Sequence, residues 1–126
     1  MATVTTKLLQ KSFEHPDEVR ELPKARVEVI RLGGYSAMKV RFEPGWRWSE
    51  HIKPVVGTES CEVRHVVYVI SGQLATRMND GTEIVFHAND FAVIPAGHDG
   101  WVVGNEPAVF IDFEGGERYG AAVSKT

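Results

Sequence analysis

From Ala25 to Phe113 the apolar positions recur mostly every second residue, the spacing of strands with one buried face. Met38, Val40 and Phe42 share one side of a run whose other side carries Lys39 and Arg41. Upstream, Val27-Glu28-Val29-Ile30-Arg31-Leu32 is rich in β-branched residues and stops at Gly33-Gly34. Further strands are predicted over 63–71, 73–78, 82–86, 91–94, 101–103 and 108–113. In the last of these, Phe110 and Asp112 alternate with Val109, Ile111 and Phe113. Pro44-Gly45, Gly72 and Asn79-Asp80-Gly81 punctuate the runs, and Asp80-Gly81 predicts a two-residue hairpin turn with positive φ at both positions. Residues 46–62 mix tryptophans, Pro54, Gly57 and polar groups, which predicts a long loop with a short strand at His51. No stretch of ten residues has convincing helical periodicity. Many short strands between turn residues predict an all-β sandwich or barrel. Residues 1–24 lack this periodicity and are expected to form a lead-in arm to a single barrel domain over 25–126.

Length and charge narrow the picture. A chain of 126 residues suits one domain, able to bury roughly two-thirds of its unfolded surface without a disulfide or metal staple. No apolar run approaches roughly 18 residues, and Met1–Gln10 lacks a leader-like apolar core, so a cytoplasmic protein without membrane contact is expected. The single cysteine, Cys61, cannot make an intrachain disulfide, which fits a reducing compartment. Net charge is −3 with scattered Lys and Arg, so nucleic acid is not an expected partner.

Gly45 is followed by five residues and His51. His65 is followed by six residues and Gly72, and Asn89-Asp90-Phe91-Ala92-Val93-Ile94-Pro95-Ala96-Gly97 leads into His98. Taken together, these spacings over residues 37–114 resemble the two motifs of the cupin superfamily, in particular its small single-domain bacterial members. The resemblance implies a double-stranded β-helix, or jelly-roll, barrel with a metal site inside. It places His51 on the first histidine of the family's first motif, Lys53 on the second and His65 on the glutamate. In the second motif Gly100 falls where the histidine would be, with His98 two residues early. The family's habit, with the arm and an outward apolar set of Val66, Tyr68 and Ile70, also implies a homodimer.

Parity supports part of this independently. Charged Arg64 should face solvent, which turns His65 inward with Val63, Val67 and Val69. An inward imidazole needs a partner, either a metal or a hydrogen-bonding group such as a carbonyl, Tyr68, Glu62 or a water. The same two readings apply to His51 and His98. A metal held by His51, His65 and His98 would be zinc, iron, nickel or copper, because a nitrogen-rich set disfavours calcium and magnesium. Cys61 is either a soft ligand or a small buried hydrophobe. Lys53 would repel an ion; it could pair with Glu50 or Glu62, or orient an anionic ligand. Trp46, Trp48 and Trp101 flank the motifs and would wall a small-molecule pocket or pack a core, and Arg47 would clamp a carboxylate or lie in solvent. Glu50, Glu59 and Glu62 are acid–base candidates only if buried. Two functions stay open: a metal-dependent site acting on a small molecule, and a metal-free barrel that binds or senses a small ligand. The pattern does not choose between enzyme and binding module.

Overall fold

The structure, a computed structural model, describes residues 6–114. Its strands are β1 (Glu18–Leu22), β2 (Ala25–Leu32), β3 (Tyr35–Phe42), β4 (His65–Ser71), β5 (Leu74–Met78), β6 (Glu83–Phe86), β7 (Phe91–Ile94), β8 (His98–Val102) and β9 (Ala108–Asp112). Two short helices, α1 (Trp48–His51) and α2 (Lys53–Val56), lie between β3 and β4. A six-stranded sheet runs β1-β2-β3-β9-β4-β7, and a three-stranded sheet runs β6-β5-β8. Every pairing is antiparallel. This is an all-β jelly roll, and the described residues contain no helix long and apolar enough to cross a membrane.

Alternation delivers the core. Val27 and Val29 from β2, Met38, Val40 and Phe42 from β3, Val67 and Val69 from β4, and Phe110 from β9 turn to one side of the larger sheet. Leu74 and Val102 meet them from the smaller sheet. Burial of Val- to Phe-sized side chains contributes about 1.5–3 kcal/mol each, so this shared core is the main stabilising term. On β9 the same parity carries Ala108, Phe110 and Asp112 inward, which takes a carboxylate to 0% exposure.

The structure corrects three expectations. Residues 46–62 hold no strand at His51; they fold into α1 and α2. Each helix is four residues long, too short to show a helical period. Pro54 sits in the first turn of α2 and Gly57 ends it at φ +83°, both favourable places for those residues. The hairpin at Asp80-Gly81 is a three-residue loop. Met78 N–H donates to Thr82 O, Gly81 N–H donates to Met78 O, and of the two turn residues Gly81 alone has positive φ, at +93°. The Asp80 carboxylate takes the Thr82 N–H, which stabilises this form over a two-residue turn. Within the segment expected as an arm, Glu18–Leu22 forms β1 and pairs with β2 from Glu18↔Val29 to Leu22↔Ala25. The charge of Glu18 and Arg20 hid its alternation, although both are half-buried and ion-paired at 2.6 Å.

Gly72 joins β4 to β5 with φ +78° where the chains nearly touch. A Cβ there would lie 2.1 Å from Pro107 O and 2.7 Å from Ala108 Cα. Gly57 has a similar φ, +83°, but open space around it. Gly57→Ala should therefore cost about 1 kcal/mol, the conformational term alone, while Gly72→Ala should cost about 3 kcal/mol or more. Urea unfolding of both variants checks this; equal losses would contradict the close approach at Gly72.

Candidate metal centre

Cys61 and His65, four residues apart, meet the distant His98 in the barrel interior. His65 opens β4 and is 4% exposed, on the inward face with Val67 and Val69. His98 opens β8 and is 5% exposed. Cys61 lies outside the named strands but forms an isolated antiparallel bridge with His98. Cys61 N–H donates to His98 O at 2.8 Å, and Gly97 N–H donates to Cys61 O at 2.8 Å. Residues opposed in this way present their side chains to the same face, so the bridge brings thiol and imidazole together.

The two imidazoles are oriented by their outer nitrogens. His65 Nδ1 lies 2.5 Å from Asp112 Oδ2, and His98 Nδ1 lies 2.7 Å from Pro95 O. A carbonyl only accepts, so Nδ1 of His98 carries the hydrogen and Nε2 is left with its lone pair. The Asp112 carboxylate imposes the same tautomer on His65, whose Nε2 is 3.7 Å from Cys61 Sγ. Asp112 is itself held by the N–H groups of Val66 and Glu114, at 3.3 and 3.0 Å. The imidazole rings stand 5.2 Å apart, centroid to centroid, at 67°.

Sγ of Cys61 and one nitrogen from each histidine all lie within 4.8 Å of one another. Ligands at about 2.0–2.3 Å from one tetrahedral ion are roughly 3.5 Å apart, so a small inward movement would seat a metal here. The donor set fits a transition metal: one sulfur and two imidazoles, each imidazole braced by an acceptor on its far nitrogen as metal-ligating histidines usually are. Burial, with the neighbouring His65 adding to it, pushes the His98 pKa down to about 4. The imidazole is therefore neutral near pH 7, the form that binds metals.

The other expected residues lie elsewhere. His51 ends α1 half-buried, with Nδ1 3.1 Å from both the N and the O of Arg47, and is not part of the cluster. Lys53 pairs with Glu59 at 3.0 Å. Glu62 is exposed and accepts the Ser60 hydroxyl hydrogen at 2.9 Å; Glu50 is also exposed. The three tryptophans separate. Trp46 and Trp48 are buried and line the cavity beside the histidines, with Trp46 stacked on Phe42 at 3.6 Å. Trp101 alternates with the inward Gly100 and Val102 and so faces away from the interior, beneath the Arg47 guanidinium at 4.3 Å. Arg47 also lies 3.5 Å from Asp99. The cavity measures about 30 Å³, space for one or two waters, and its lining is apolar apart from the imidazoles, Thr76 and Trp46. Trp46 Nε1 is the one buried side-chain polar atom without a hydrogen-bond partner among the described residues. The residue that sequence reasoning passed over is Asp112; its signal was an acidic side chain sharing the parity of Phe110.

No family model matches the sequence, and no curated protein matches it significantly. Solved structures do match in fold. An RmlC-like cupin from Shewanella frigidimarina is 19% identical with a TM-score of 0.55, over 81% of this chain and 86% of that one. A cupin-like protein from Thermotoga maritima is 17% identical with a TM-score of 0.51, over 71% and 67%. A protein of unknown function from Rhizobium leguminosarum is 18% identical with a TM-score of 0.60, over 86% and 99%. At these identities the likeness is one of fold.

The depressed His98 pKa has a consequence for stability. Between pH 6.5 and about 4 the unfolded chain binds a proton at His98 that the folded chain refuses, so the metal-free protein loses stability as pH falls through this window. The full effect is on the order of 3 kcal/mol at about 1.4 kcal/mol per pKa unit. Urea unfolding from pH 7 to pH 4 should show a shallower loss in His98→Gln than in the parent; equal slopes would remove His98 as the cause.

Proposed function

For this chain, which has the cupin fold, we propose that Cys61, His65 and His98 bind one divalent transition metal ion inside the barrel. The observation that carries the reading is the bracing of both histidines through Nδ1, by Asp112 and Pro95, which leaves two Nε2 atoms beside a sulfur. When bound, such an ion supplies Lewis acidity or an activated water to a small molecule. The chain's own residues set the ligand orientation, and Phe42, Trp46, Trp48 and Phe110 keep the surroundings dry. A cavity of about 30 Å³ restricts any molecule held there without side-chain movement to a very small one. Zinc, iron, nickel and copper all suit a set of nitrogen and sulfur donors.

Elemental analysis of untagged protein, purified without a nickel column and again after reconstitution with zinc, tests the proposal. About one ion per chain is expected, lost in Cys61→Ala, His65→Ala and His98→Ala and retained in His51→Ala. Protein that stays metal-free after reconstitution would overturn it and favour the metal-free ligand barrel, to be screened by thermal shift with small organic acids.

The same barrel is proposed to pair with a second copy. Tyr68 and Ile70 on β4, Phe91 and Val93 on the neighbouring edge strand β7, and Phe113 are all exposed. Tyr68 opposes Phe91 and half-buried Val66 opposes Val93, so these residues form one apolar strip on the outer face. Light scattering at micromolar concentration should give twice the chain mass, shifted towards the single-chain mass in Phe91→Lys; a parent protein of single-chain mass would refute the pairing.

A further inference from the structure

The proposed metal centre has three donors, and its soft character raises the question of a fourth. Met38 is 0% exposed and lines the same small cavity as His65 and His98. On the β3–β9 ladder Met38 stands directly opposite Asp112. Opposed residues in an antiparallel pair project to the same face, so the Met38 side chain leaves the sheet on the face of Asp112, the carboxylate that holds His65. No carboxylate belongs to the three-donor cluster.

Two imidazoles, one cysteine sulfur and a thioether form a recognisable donor set. Thiolate and thioether select copper(I) over harder ions, and a His₂Cys centre with a weakly bound methionine is the ligand set of copper sites that show intense thiolate-to-copper absorption. Resting on the metal-binding reading above, we propose that Met38 is the fourth ligand and that the centre is a copper site. Cys61, His65 and His98 supply the strong bonds and Met38 the weak one. Such a centre is closed: all four donors come from the protein, and the cavity of about 30 Å³ leaves little room for more. A closed site suits holding copper within the barrel better than turning over a bulky substrate at an open coordination position.

The thioether is also the donor whose removal separates copper from zinc. Zinc takes thiolate, imidazole and carboxylate, and it should be nearly indifferent to Met38. Met38→Leu preserves the volume of the side chain and should leave the fold intact.

The experiment is a parallel titration of the full chain and of Met38→Leu. Copper(I) is measured by competition with a chromophoric chelator, copper(II) by visible absorption and electron paramagnetic resonance, and zinc(II) by calorimetry. Copper-edge X-ray absorption counts the sulfur neighbours. For the parent we expect two sulfur scatterers and an intense charge-transfer band that vanishes in Cys61→Ser. In Met38→Leu we expect one sulfur, a shifted band and copper(I) affinity lowered about tenfold, with zinc affinity changed by no more than about twofold. Zinc binding with copper spectra and affinities insensitive to Met38→Leu would overturn the copper centre and leave the metal site standing. A band that survives Cys61→Ser would overturn it likewise. Failure of the parent chain to bind zinc or copper would overturn both.

Discussion

The hydrogen bond between Asp112 and His65 is the interaction on which the interior depends. It sits within the core, between β9 and β4, where the carboxylate is 0% exposed and 2.5 Å from the imidazole. Leaving a buried donor or acceptor without its partner typically costs about 1–3 kcal/mol, and more for a charged group. The amide hydrogens of Val66 and Glu114 share the work of solvating the carboxylate. With Nδ1 of His65 on Asp112, Nε2 lies 3.7 Å from Cys61 Sγ.

The rest of the centre follows from how strands begin. His65 and His98 are the first residues of β4 and β8, so each is tethered on its C-terminal side by a ladder. On the N-terminal side the Cys61–His98 bridge and the Pro95 carbonyl do the holding. The two imidazoles sit at the starts of paired strands, and the isolated bridge to His98 holds Cys61 beside them, a placement that restricts the donors' positions. The polar frame around it extends outward through Ser60, which bonds both Glu62 and Asn79.

The cavity beside the histidines is small, about 30 Å³. Phe42, Trp46, Trp48 and Phe110 fill the space beside the histidines, and the stacking of Trp46 on Phe42 closes it further. A metal bound by soft donors uses such a dry, crowded interior well, because exclusion of water strengthens the ion's interaction with its ligands. Shared fold with other cupin structures is compatible with many activities, so the functional reading stands on these particular side chains.

The sequence by itself determined the all-β class, most of the strands, where most of the turns fall and the inward direction of His65. Each of these is local: the pleat alternates side chains, and glycine, proline and asparagine mark where the chain must bend. Asp112 was passed over despite its parity with Phe110, because a lone acidic residue on an apolar face carries no label of its partner. What the tertiary structure decided was which distant residues meet. Cys61 joins His65 and His98 because an isolated bridge sets it opposite His98, while His51 turns back to Arg47 on a helix too short to announce itself. Trp101 leaves the group of cavity tryptophans because it follows Gly100 on β8 by one residue, and one residue reverses the face. Period and turns are properties of neighbouring residues; the pairing of strand ends is set by packing across the barrel, and the meeting of Cys61, His65 and His98 depends on that pairing.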